Sequence, residues 1–190
     1  MLVHLRRSLV MAVMCLVVFG FVYALAGTGV AQLFFKGQAN GSITANGSTL
    51  IGQNWSSAKF FHGRPDATGP YTSGDNPLVA NGVNGESGAT NLGPRSQTLL
   101  DNTRALVAYW RQLGVNPTPD LVTTSGSGYD PDISPADAVA QIPMVAKATG
   151  ISPSQLRTLI DQQTHSAQWG FLGSSYVVVL QLNEALAHLH

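Results

Sequence analysis

The chain has 190 residues, with ten basic and ten acidic side chains, a formal net charge of zero and only 11% charged residues. Soluble domains usually carry about a quarter, and no basic face is available here for a polyanion, which excludes nucleic acid as a partner. The single cysteine, Cys15, allows neither a disulfide framework nor a cysteine-based metal site.

From Ser8 to Phe35 the chain runs 28 residues without a charged side chain. About 20 apolar residues in a helix cross the hydrocarbon core of a bilayer. The sequence therefore predicts a transmembrane helix over residues 9–31. His4, Arg6 and Arg7 precede this run, and Lys36 is the first charge after it. The positive-inside tendency then keeps residues 1–8 in the cytoplasm and sends the rest across the membrane. A cleaved secretory signal ending at Ala26 is the alternative, since Ala24-Leu25-Ala26 resembles a cleavage site. The apolar run outlasts a signal core, reaching Val30, Leu33, Phe34 and Phe35, and this favours the anchor.

Arg6 and Arg7 lie before residue 36, which leaves eight basic against ten acidic side chains from Lys36 onward, a formal charge of −2. Residues 32–48, rich in Gly, Asn and Ser, read as a linker. Asn40, Asn46 and Asn54 each open an N-x-S triplet, a glycan acceptor in a eukaryotic secreted protein and polar loop in a bacterium. The run from Thr49 to Phe61 has the β-branched and aromatic content of one or two short strands. Residues 62–94 are dense in glycine and hold Pro65, Pro70, Pro77 and Pro94, which predicts a long surface excursion.

A helix is predicted from about Pro94 to Leu113, where Leu99, Thr103, Leu106, Trp110 and Leu113 recur at helical spacing. Gly114 ends it and Pro117 prevents its resumption. Ser134-Pro135-Ala136-Asp137 and Ser152-Pro153-Ser154-Gln155 each offer a serine cap, a proline at the first helical position and a reciprocal side chain three residues on. Gly150 separates the two helices so started, and Pro143 should kink the first near Val139. Ser175–Leu182 reads as a strand and Asn183–Leu189 as a terminal helix. Mixed elements without a βαβ rhythm predict one α+β domain over residues 49–190.

Candidate chemistry concentrates in residues 120–135. Gly126 and Gly128 permit positive φ, so the amides around Ser125 and Ser127 could form an anion-binding nest. Asp130 and Asp132 could ligate a hard cation, although two carboxylates rarely suffice. The plainer reading is a turn feeding the Ser134-capped helix, with an aspartate satisfying loop amides. Arg64 could present its fork to a partner's carboxylate or phosphate, or pin its own loop. A hydrolase triad from Ser125 or Ser127 with His62 or His165 lacks the G-x-S-x-G elbow, and no phosphate-binding loop is present.

With these residues in place, the chain resembles the C subunits of Kdp-type potassium-transporting P-type ATPases. The resemblance rests on the anchor, GSTLIGQNW at 47–55, FFHGRPDA at 60–67 and SGATNLGPRSQ at 87–97. It continues in DLVTTSGSGYDPDIS at 120–134, QIPMVAKATGI at 141–151 and YVVVLQLNEAL at 176–186. Each stretch is weak alone; their order and spacing are specific.

The resemblance implies an accessory, non-catalytic subunit of a potassium uptake complex, needed for assembly. Its implied partners are a channel-like A subunit, a P-type ATPase B subunit and a small F subunit. It has no cofactor of its own, and ATP enters through the B subunit, whose ATP affinity this subunit is proposed in the family to raise. An external domain conflicts with that last role, because ATP is cytoplasmic. Gln53, Ser125, Gly126, Ser127 and Gly128 are the candidates for any cofactor contact. Arg64, Asn91, Asp130 and Asp132 are the candidates for partner contacts. The family pattern has arginine where Met144 stands, another basic residue near Thr149, and Val-Asn-Val where Val177–Val179 stand.

Overall fold

The computed structural model describes residues 1–53, 55, 57–65 and 88–189. Asn54 and Ser56 of the third triplet, the centre of the Gly/Pro-rich excursion and His190 lie outside the described residues. The chain divides into two compact units, Met1–Ile43 and Thr44–His190.

The first unit is built on one continuous helix, Leu2–Phe34. It begins as α1 (Leu2–Cys15), passes through a π-helical stretch (Leu16–Val22) and ends as α2 (Tyr23–Phe34). At 1.5 Å per residue a helix of this size is about 50 Å long, more than a bilayer's hydrocarbon core requires. None of its side chains is buried within the protein, as expected for a helix meant to face lipid. A short α3 (Lys36–Ala39) follows within what reads as linker. Asn40 closes it by donating to the Lys36 carbonyl at 2.6 Å and exchanging amide bonds with Gln32.

In the second unit, α4 (Gln97–Gln112) is capped by Ser96, whose hydroxyl accepts from the Leu99 amide. It buries Leu106 and Trp110, and the Trp110 indole donates to the Leu121 carbonyl at 2.9 Å. Both predicted capping boxes form. Ser134 and Asp137 open α5 (Pro135–Thr149), which Gly150 ends in the left-handed conformation; Ser152 and Gln155 open α6 (Pro153–Gln163). Pro143 sits inside α5 without ending it.

Three short strands form one antiparallel sheet in the order β1 (Asp132–Ile133), β3 (Tyr176–Val178), β2 (Thr164–His165). Asp132 faces Val178 and Thr164 faces Val177 across β3. The terminal apolar run departs from its expected form. Only Tyr176–Val178 is strand, and α7 (Val179–Ala187) begins at the next residue. Val179, Leu182 and Leu186 repeat at helical spacing and are buried, so the core rewards helix over continued strand. An apolar run of this length does not by itself distinguish the two.

The expected strands between Thr49 and Phe61 are also absent among the described residues. Side chains replace the missing ladder. The Asn183 carboxamide accepts from the Phe61 amide and donates to the Phe61 carbonyl, both at 2.8 Å. The Gln141 carboxamide accepts from the His62 amide at 2.8 Å and donates to the His62 carbonyl at 3.0 Å. All four residues are essentially sealed from solvent. Each carboxamide thus satisfies both polar groups of one residue in an irregular segment, which would otherwise be orphaned inside the core.

Phe61 then packs with Trp110, Leu121, Val145, Leu156, Ile160 and Leu182 in the central cluster. Gly52 also closes on this region: its amide donates to the Tyr129 carbonyl at 2.8 Å, and a Cβ there would lie 2.8 Å from the Asp130 carbonyl oxygen.

Replacing Asn183 with Leu strands the amide and carbonyl of Phe61 in the core. We expect a loss of about 3 kcal/mol, measured by urea unfolding of the full chain in detergent. Ser134→Ala removes one capping bond and should cost only about 1 kcal/mol in the same measurement.

Candidate functional site

The segment singled out in the sequence, residues 120–135, forms a turn-rich loop between a 3₁₀ turn (Asp120–Val122) and β1. Of its two central glycines only Gly128 adopts positive φ, at 71°. Two of the amides beside the supposed anion nest are engaged by the loop's own side chains. The Ser125 hydroxyl accepts from the Gly128 amide at 2.8 Å, and the Ser127 hydroxyl accepts from the Tyr129 amide at 3.1 Å. The Ser127 carbonyl accepts from Gly88. Gly126 is exposed beside them. The Gly128 and Tyr129 donors are thus turned inward onto the loop's own serines.

Arg64 is the strut of this loop. Its guanidinium donates to the Thr123 carbonyl at 3.2 Å, to the Thr124 carbonyl at 3.1 Å and to an Asp130 carboxylate oxygen at 3.3 Å. Of the two readings of Arg64, the structure has the one in which it pins its own domain. The other Asp130 oxygen accepts from the Asp132 amide at 3.1 Å, the aspartate-on-loop-amide arrangement of the plainer reading. Both Arg64 and Asp130 are thereby occupied within the domain.

Asp132 is different. Its Oδ1 is buried without a hydrogen-bond partner. Burial, then the neighbouring Asp130 carboxylate, push its carboxyl above the usual range, while His165 acts in the opposite direction. An open cavity of about 330 Å³ beside it is lined by Arg64, Asp120, Asp130, Asp132 and Asp137 along with Ser174, Ser175 and Tyr176. Asp137 is committed elsewhere: it completes the Ser134 capping box and accepts from the Thr118 hydroxyl. Among the described residues no three His, Cys, Asp or Glu side chains are grouped to hold a metal ion.

Gln53 and Asn91 stand apart from this loop's polar network. The Gln53 amide donates to the Ile51 carbonyl at 3.1 Å, and Asn91, exposed and at φ 52°, donates to the Ala89 carbonyl. Met144 is buried to 2% exposure, so that position offers its side chain to the core. Thr149 bonds back to the Val145 carbonyl and caps the Ile151 amide.

The two histidines considered for catalysis are not joined to serines. His165 stacks on Tyr176 with ring centres 4.9 Å apart and bonds Gln181. His62 meets the edge of Trp110 at 5.8 Å, and among the described residues neither of its ring nitrogens has a partner within hydrogen-bond geometry. Sequence reasoning missed Gln141 and Asn183, whose only signal is an amide side chain inside an apolar stripe.

The geometry describes an α+β domain whose polar loop bonds largely within the domain. The comparisons with known proteins agree with the motif order. Residues 5–188 match the family described as K⁺-transporting ATPase, c chain. This chain belongs to that family.

Similar proteins of this family named potassium-transporting ATPase KdpC subunit span nearly all of it. One from Methylobacterium nodulans is 43% identical, covering 100% of this chain and 98% of its own length. One from Koribacter versatilis is 42% identical over 95% of this chain and 92% of its own. One from Caulobacter vibrioides is 43% identical over 98% and 93%. The resemblance read from the six motifs and the anchor is thus confirmed at the level of the c-chain family.

His62 gives the c chain a pH signature. Burial lowers its pKa from 6.5 to about 4, opposed in part by the nearby backbone of Trp55 and Ser57. The unfolded chain therefore binds a proton below pH 6.5 that the folded chain refuses until about pH 4. Stability is full above the unfolded value and falls as the pH drops through this window. Between pH 7 and pH 5 we expect a loss of about 2 kcal/mol from this group. Urea midpoints of His62→Phe should show that component removed, whereas an unchanged pH slope would assign it to other groups.

Proposed function

We propose that this c chain is an accessory, non-catalytic subunit of an ATP-driven potassium uptake complex. Its N-terminal helix lies in the inner membrane, and its folded domain sits outside the cytoplasm, where it braces the ion-conducting A subunit. The observation that carries this reading is the helix Leu2–Phe34 with Arg6 and Arg7 before its apolar span and Lys36 after it. Such a charge bias sets orientation by the positive-inside tendency. Family membership supports the subunit role, since the relatives are named as KdpC subunits of a potassium-transporting ATPase. The closed state of the loop around Ser125–Gly128 supports a structural rather than a nucleotide-binding use of it.

In this reading ATP is handled by the B subunit on the cytoplasmic side, and the c chain contributes assembly and geometry. The F subunit is the third expected neighbour in the membrane. Release after Ala26 draws no support from the comparisons; N-terminal sequencing of the mature protein should return Met1 or Leu2.

Orientation is tested by a C-terminal tag in sealed inside-out vesicles. The tag should resist protease until detergent is added. A tag digested at once would place the domain in the cytoplasm and return ATP contact to consideration. The helix's role is tested by Val17→Arg, which places a charge near mid-bilayer at roughly 2.5–3.5 kcal/mol on insertion scales. We expect recovered complex to fall several-fold, with the urea midpoint of the folded domain unchanged.

A further inference from the structure

Between β2 and β3 the chain leaves the core, and every residue from Gln168 to Tyr176 is exposed. Its tip is apolar: Trp169 is 77% exposed, Phe171 74% and Leu172 45%. Trp110, by contrast, is fully buried.

The tip is nonetheless held in one shape. Gln168 and Leu172 exchange backbone bonds at 2.9 and 3.0 Å, and the Gly170 amide donates to the Ala167 carbonyl. Trp169 and Gly170 both take positive φ, 54° and 83°. For a bulky residue the left-handed region is strained and persists only where surroundings impose it. Here the cross-bonded loop imposes it and aims an indole away from the domain.

From this we infer that the Trp169–Leu172 tip is the docking anchor by which the domain seats in an apolar, basic-rimmed pocket on another protein subunit of the same transporter. The inference rests on the subunit reading above and names the surface that reading lacks. Exposed aromatic anchors on a rigid frame lose little entropy on binding and dominate interface energetics.

Charge selects a protein over a lipid surface as the occupant. No Lys or Arg follows Arg157 in the chain, so neither the tip nor the strand and helix after it carries a cation of the kind with which interfacial anchors grip anionic headgroups. At its base, Ser174, Ser175 and Tyr176 border the cavity in which Asp120 and Asp132 are the carboxylates tied neither to Arg64 nor to the Ser134 cap. That rim repels an anionic membrane and complements basic side chains around a protein pocket.

The test is co-purification of the transporter through a tag on the full-length c chain. The Trp169→Ser/Phe171→Ser double variant should retain at least about tenfold less of the partner subunits than wild type. Trp169→Phe should recover most of the retention, and Leu100→Ser, an exposed apolar control on α4, should lose none. The double variant should keep the wild-type urea midpoint, because both replaced side chains are exposed. Retention within twofold of wild type overturns the anchor and leaves the subunit reading standing. Failure of the wild-type chain to retain any partner overturns both.

A second arm places the full chain alone in nanodiscs containing brominated lipid. Tryptophan emission lost in Trp169→Phe should be accessible to acrylamide and unquenched by bromine. Bromine quenching of that emission would make the bilayer the occupant and overturn the proposal.

Discussion

Two carboxamides determine where the domain's irregular segment goes. Asn183 and Gln141 each grip one residue of the stretch 61–62 by both of its backbone polar groups. A buried peptide group without a partner costs more than most side-chain contacts return. Phe61 can therefore enter the core only because α5 and α7 bring these amides to meet it. Trp110 and Leu121 close over the same place, and the tryptophan's own donor is spent on the Leu121 carbonyl. Helices, loop and core are assembled around this four-bond clamp.

The same arrangement explains what could and could not be read from the chain. The apolar helix, the Ser96, Ser134 and Ser152 caps, and Gly150 at the end of α5 all depend on local backbone chemistry, and local chemistry is written in short stretches. The run ending at Phe61 looks like strand because its residues are β-branched and aromatic, yet the buried hydrogen bonds at its end, on Phe61 and His62, come from side chains about 120 and 80 positions away. No window of neighbouring residues carries that information. The Ser175–Leu182 run is strand only at Tyr176–Val178 for a related reason: continuous burial over Val177–Leu180 removes the periodicity that separates strand from helix.

The loop at 120–135 illustrates how motif and mechanism part company. Its glycines and serines have the composition of an anion nest, but Ser125 and Ser127 fill it with their own hydroxyls. Arg64 and Asp130 form an internal brace from residues that look equally suited to a partner. Such polar groups stabilise an irregular surface that could not otherwise keep one shape. The exposed tip at Trp169 drew no attention from sequence because isolated aromatics are common, and only its left-handed backbone and lack of covering side chains set it apart.

The junction at Val178–Val179 has a further consequence. Strand β3 ends and α7 begins with no residue between them, and the Val179 amide is held by the Pro131 carbonyl. The pitch of the helix is therefore phased directly to the sheet. An inserted residue would rotate everything beyond it by about 100°, turning the amide of Asn183 from the core toward solvent. Length at that point is thus as tightly specified as side-chain identity is elsewhere, and variation between β3 and α7 should be by substitution alone.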